Sequence, residues 1–216
     1  MNPMNRTTRR AITKVLAAAA VALSLSACIS VFPESKPVGL YRFGQVEVSE
    51  PKGQAGPMVG VLKAPTVFTR ASAGDRILTS TQGEVAYIAD ARWVSPAFVL
   101  FEEAVANAFQ AGPGRARLIG RGEVSKADLA LRLEVRAFET QYVNGPKAAP
   151  EVVVRVRGVV NSNQDRALVS DQVFESRVQA NENRVSAIVS AYDQATAKVL
   201  ADVAAWVNAA GPTPQN

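Results

Sequence analysis

The only thiol in the 216-residue sequence is Cys28, and it closes the run Leu25-Ser26-Ala27-Cys28. A branched apolar residue, two small residues and a cysteine make the bacterial lipobox. Its chemistry is specific. A thiol held beside a membrane is alkylated by a diacylglyceryl group, and cleavage before the cysteine frees an amine for a further acyl chain such as palmitate. Several chains together make a stable anchor, because each buried methylene contributes about 0.8 kcal/mol. The other reading, an ordinary export signal followed by a buried cysteine, stays open on this motif alone.

Other reactive constellations are missing from the residue types themselves. There is no histidine, so Ser-His-Asp and Cys-His mechanisms lack their base. One cysteine forms no intrachain disulfide and supplies too few ligands for a Cys/His zinc site. Carboxylates remain. Glu102 and Glu103 are adjacent, so on a helix they diverge by about 100° and do not converge on one substrate. Asp75 and Asp90 sit near loops without a recognisable partner, and Asp165-Arg166 reads as a turn. No nucleotide-binding or nucleophile-elbow pattern is present; Gly120-Arg121-Gly122-Glu123 lacks the third glycine and reads as a loop or bulge. The expectation is a protein with no catalytic residue, no metal and no cofactor beyond the acyl chains on Cys28.

The charge has a location. The chain carries 24 Lys and Arg against 19 Asp and Glu, a net +5 with a pI near 9.6. Arg6, Arg9, Arg10 and Lys14 lie in the first 27 residues with no acid, so the rest of the chain is only +1. A basic stretch, the apolar run Val15–Ala27 (too short to span a bilayer) and small residues before Cys28 read as a signal peptide over residues 1–27. Thr8–Lys14 also loosely resembles a twin-arginine export signal. The residue after Cys28 is Ile29, not the Asp that marks inner-membrane retention in enteric lipoproteins, so the expected destination is the outer membrane, facing the periplasm.

Apolar residues at 48% and charged residues at 20% are ordinary for a folded domain and argue against intrinsic disorder. Residues 28–38, with Pro33 and Pro37, read as an acylated tether, 39–210 as one domain and 211–216 as a loose tail. Short strands are expected at Leu40–Phe43 and Val59–Leu62, Val67-Phe68 lies after a Pro-Thr break, and a hairpin is expected at Arg76–Thr79 and Glu84–Ile88. The Pro- and Gly-rich stretch Ser49–Met58 is a loop. Ser95-Pro96 starts a helix, with Ser95 as cap and Phe98, Phe101, Val105 and Phe109 as its apolar stripe, and Gly112-Pro113-Gly114 ends it. Leu129–Phe138 alternates apolar Leu129, Leu131, Leu133 and Val135 with Arg132, Glu134 and Arg136, as an antiparallel strand covered on one face does. Glu151–Val160 and Ala167–Val178 follow as strands, and a long helix over Val185–Trp206 closes the domain. The expected fold class is α+β, a mostly antiparallel sheet with two helices packed on one face.

Two features remain between elements. Arg132, Arg136, Arg155 and Arg157 alternate with core residues and read as a solvated sheet face; the competing reading is a face for an acidic protein or anionic headgroups. The export signal argues against nucleic acid as partner. Trp93 and Pro96, at the junction of strand and helix, read as a core plug or as an aromatic anchor at an interface.

With the lipobox, Leu40-Tyr41-Arg42-Phe43, Trp93-x-x-Pro96 and the Leu129–Phe138 strand in place, the chain resembles the ABC-type transport auxiliary lipoprotein family, whose members serve MCE-type lipid or cholesterol transport systems in Gram-negative envelopes. The glycine- and proline-rich loop at Ser49–Met58 departs from the family pattern. The resemblance implies a non-enzymatic, lipid-anchored subunit that docks a periplasmic conduit at the outer membrane. It implies MCE-domain and ABC transporter subunits as partners and leaves room for a homo-oligomer. Two competing readings are an outer-membrane assembly or envelope-scaffold lipoprotein, and an anchored hydrolase using carboxylates alone.

Overall fold

The computed structural model describes residues 37–44, 57–120, 122–123 and 125–211. Among them run strands β1 (Gly39–Tyr41), β2 (Val59–Lys63), β3 (Val67–Phe68), β4 (Arg76–Thr81) and β5 (Glu84–Trp93), helix α1 (Ala97–Ala111), strands β6 (Ala116–Leu118), β7 (Leu129–Gln141), β8 (Glu151–Ser162) and β9 (Leu168–Gln179), and helix α2 (Val185–Ala210).

Strand β7 is the spine of the sheet. One of its edges pairs antiparallel with β8 from Leu129↔Ser162 to Gln141↔Glu151, and β8 in turn pairs antiparallel with β9. The other edge is covered end to end by three shorter strands, all parallel to it. Leu129–Leu131 lie beside Val61–Lys63 of β2, Glu134-Val135 beside β3, and Thr140-Gln141 beside Thr79-Ser80 of β4. Parallel pairs β2–β6 and β1–β5 and the antiparallel hairpin β4–β5 complete it. The sheet is therefore mixed, which corrects the mostly antiparallel reading. The physical reason lies in the connections. Parallel neighbours need long crossovers, and here the stretch through β5, α1 and β6 returns the chain alongside the strands that precede the helix. A strand wet on one face shows the same apolar alternation whichever way its neighbours run, so the residue pattern of β7 carries no trace of their direction.

The inward side of β7 changes phase. Leu129, Leu131, Leu133 and Val135 are buried, and then Phe138 and Thr140 are. The ladder to β8 slips between Val135 and Ala137, a bulge that absorbs one residue at Arg136 and returns the apolar side chains to the core. From β8 the core receives Val152, Val154, Val156 and Val160. Between the last two sits Gly158, where an added Cβ would stand 2.7 Å from Trp206 Cζ3, so α2 lies on β8 through a bare backbone position.

Helix α2 packs on β8 and β9 and touches α1. It buries the stripe Ile188, Tyr192, Val199, Val203 and Val207, as its 3–4 spacing requires. Helix α1 buries Leu100, Phe101, Ala104, Val105 and Phe109, while Phe98, expected in the stripe, is 45% exposed. Ser95 does not cap the helix: no side chain does. Instead the Ala97 and Phe98 amides donate to the carbonyls of Gly74 and Ala73, so the loop before β4 takes the role assigned to the serine. The core draws on residues between Phe43 and Val207, so the compact unit that begins at Val38 carries its own core.

Candidate functional site

The junction of β5 and α1 is built around Trp93. Its side chain is 2% exposed and meets Phe43 edge-on at 4.9 Å and Tyr192 edge-on at 5.1 Å, with Phe138 at 6.3 Å. These rings come from β5, the turn after β1, α2 and β7, and edge-to-face pairs of this kind favour such geometry beyond their buried area. The Tyr192 hydroxyl is fully buried, bonded to Thr140 Oγ1 at 3.2 Å and Leu78 O at 3.4 Å, and burial pushes its pKa above the usual tyrosine value. Pro96 is exposed at the helix start. The structure thus brings Trp93 into the core and leaves Pro96 at its rim. Leu25, Ser26, Ala27 and Cys28 lie outside the described residues.

Arg136, Arg155, Arg157 and Arg177 of the outer sheet face are partnered by acids of their own or a neighbouring strand. Arg155 pairs with Glu175, and Arg177 bridges Glu175 at 2.6 Å and Glu151 at 2.9 Å. Arg157 pairs with Asp171 and reaches Glu134 at 3.8 Å, which Arg136 also holds at 3.2 Å. Hydrogen bonds from Arg157 hold the Asp171 carboxyl below its usual range, and those from Arg155 and Arg177 do the same for Glu175. A face so neutralised offers little surplus positive charge to an acidic partner.

The carboxylates considered for catalysis go to separate structural tasks. Burial works to raise the Glu102 pKa, but hydrogen bonds from Lys63 Nζ (2.7 and 2.8 Å) and the Thr66 amide (2.7 Å) outweigh it and hold it low. Lys63 is largely enclosed, so this pair pins the β2–β3 turn to α1. Glu103 reaches Arg42 instead, at 3.4 Å, and Asp75 pairs with Arg92 at 3.0 Å. Asp90 has a positive φ of 54° on an exposed stretch of β5. Asp165 accepts from the Ala167 amide in the β8–β9 turn. In the loop after β6, hydrogen bonds from Arg117, Ser125 and the Gly120 amide bring the Glu123 pKa down to about 2. Among the described residues no group of three or more His, Cys, Asp or Glu comes together as a metal site.

One cavity had no place in the sequence reading. A cleft of about 570 Å³ runs between α1 and α2. Ala104, Ala108 and Ala111 form one wall and Ala197, Ala201 and Ala205 the other. Gly44 stands at one end, its amide held by Asp193 Oδ1 at 2.8 Å; its φ is +75°, and a Cβ there would come within 2.6 Å of Ala104 Cβ. Asn208 sits at the other end, accepting from the Ala116 amide at 2.7 Å and donating to Ala204 O at 2.8 Å. Thr196 lines the cleft, and its buried Oγ1 has no hydrogen-bond partner among the described residues. Alanine at spacings of three or four on two helices was the signal in the sequence; it sits beside the apolar stripes and is easily absorbed into them.

Residues 43–204 match the family model of the ABC-type transport auxiliary lipoprotein component. No curated protein matches the sequence. Among solved structures, protein XCC0632 from Xanthomonas campestris aligns with a TM-score of 0.67 at 21% identity, over 79% of this chain and 95% of that one. An uncharacterized protein aligns with a TM-score of 0.61 at 14% identity, over 80% and 99%. At such identities the likeness establishes a shared fold.

Proposed function

Since the chain belongs to the ABC-type transport auxiliary lipoprotein component family, we propose that it serves an MCE-type lipid transport system as a non-enzymatic subunit, anchored in the outer membrane and docking the periplasmic conduit there. The observation that carries this reading is the family match across residues 43–204. The lipobox at Leu25–Cys28 supports the anchor: Cys28 takes the diacylglyceryl and N-acyl chains, and Ile29 after it directs the protein outward. A role in docking rather than turnover accords with carboxylates that are spent on ion pairs and turns.

Crosslinking in intact envelopes, followed by purification of the acylated protein, tests the partners. MCE-domain and ABC transporter subunits are the expected products; a β-barrel protein or peptidoglycan in their place would replace this reading with an assembly or scaffold role. Cys28→Ala tests the anchor separately: the variant should leave the outer-membrane fraction, and normal fractionation would overturn the acylation site.

A further inference from the structure

We propose that the cleft between α1 and α2 binds one fatty-acyl chain of a lipid supplied from outside the protein. The lining sets the chemistry. No charged side chain lines the cleft among the described residues, so the occupant is neutral hydrocarbon and a headgroup stays at the rim. Alanine along both helices, with Leu200 and Pro113 the larger apolar groups in the lining, leaves open space where the side chains of an ordinary helix contact would have met. The volume of 570 Å³ falls in the range of small-molecule sites, roughly 300–1,000 Å³. From Thr196 to Asn208 the helix runs for about 18 Å at 1.5 Å per residue, a length that suits an extended chain better than a compact ring. A second observation is independent of the alanines. Thr196 is 0% exposed and its hydroxyl is unpartnered, which native interiors seldom tolerate. An ester or hydroxyl oxygen at the head of the acyl chain would complete it.

This goes beyond the docking role, and the two fail separately, because the binding is measured on the unit from Val38 onward with no partner present. The probe is cis-parinaric acid, whose fluorescence rises in apolar surroundings. Saturable binding of one probe per chain is expected. Ala201→Trp and Ala108→Leu fill the cleft from opposite walls and should lose affinity on the order of tenfold or more. Val85→Trp, on the hairpin where Val85 is 62% exposed, should bind as the parent does. Absence of saturable binding to the parent, or undiminished binding by both filled variants with unchanged thermal stability, overturns the proposal. Other occupants give distinct overturning results. One probe per two chains assigns the cleft to a second copy. Binding only after residues 45–56 are replaced by a Gly/Ser linker assigns it to that segment. Exclusion of the probe from the acylated full chain assigns it to the protein's own anchor.

Discussion

Gly158 is where the closing helix meets the sheet, and replacing it with alanine isolates the worth of that contact. The new Cβ would lie 2.7 Å from Trp206 Cζ3 and 3.1 Å from Cη2, well inside ordinary van der Waals separation. The indole does not have freedom to retreat. Its Nε1 donates to Ser170 Oγ at 3.0 Å, and its ring meets Phe174 edge-on at 5.3 Å. Relief must come from tilting α2 off β8 or from giving up the Ser170 bond. Overpacking of this kind costs about 1–3 kcal/mol. Against it stands the reduced entropy of the unfolded chain, worth about 0.4–1 kcal/mol because Gly158 adopts an ordinary strand conformation. The net expectation is a loss of about 1–2 kcal/mol, read as a lower urea midpoint at unchanged slope and a melting temperature down by about 2–8 °C. Trp206→Leu in the same chain should recover part of that loss, giving a coupling of opposite sign to the single changes. A Gly158→Ala protein as stable as the parent, with Trp206 intact, would refute the claim that α2 rests on a bare position of β8.

Thr196→Val swaps an unpartnered hydroxyl for a methyl of the same shape, so the melting temperature should rise by about 2–4 °C, corresponding to about 1 kcal/mol; a clear loss would mean the hydroxyl is already satisfied. Lys63→Met leaves Glu102 half-buried without its cation and should cost about 2 kcal/mol in chemical denaturation, whereas Lys63→Met with Glu102→Met should cost less than the two single changes together. Glu123 is the pH probe. Its folded pKa lies below the unfolded value, so its contribution is present above the ordinary carboxylate range and is lost as pH falls toward about 2. Carboxyl NMR should place its midpoint near 2 in the parent and back toward the ordinary value in Arg117→Ala.

Much of the element order is legible in the chain because each element has one face to bury. The alternation from Leu129 to Val135 and the 3–4 spacing from Ile188 to Val207 are demanded by contact with one core, and both stand where the pattern puts them. Direction of pairing left no such mark. Val61 and Val67 would alternate alike beside a parallel or an antiparallel β7. The bulge at Arg136 did leave one, since Phe138 falls out of step with Val135. Ser95 misled because a serine before a proline satisfies free amides only when no other acceptor is nearer, and the carbonyls of Ala73 and Gly74 are. The arginine face was half legible: Arg155 and Arg157 sit in one strand, but Asp171 and Glu175 reach them only through the register of the next. The cleft was hidden for the opposite reason, since alanine is as much at home in a packed helix contact as along an open one.

The bond from Gly44 to Asp193 joins residues 149 positions apart, and the ring cluster it adjoins gathers Phe43, Trp93, Phe138 and Tyr192 from four distant stretches of chain. The order of folding follows from this. The β4–β5 hairpin and the β7–β8–β9 meander can form early from near neighbours, but no length of nascent chain that stops short of Tyr192 can seal the aromatic centre. Closure waits for the last helix, and assembly dominated by such remote contacts is slow, in the millisecond-to-second regime rather than the microsecond one. A chain still emerging from the ribosome therefore keeps its aromatic centre unsealed until almost all of it is available.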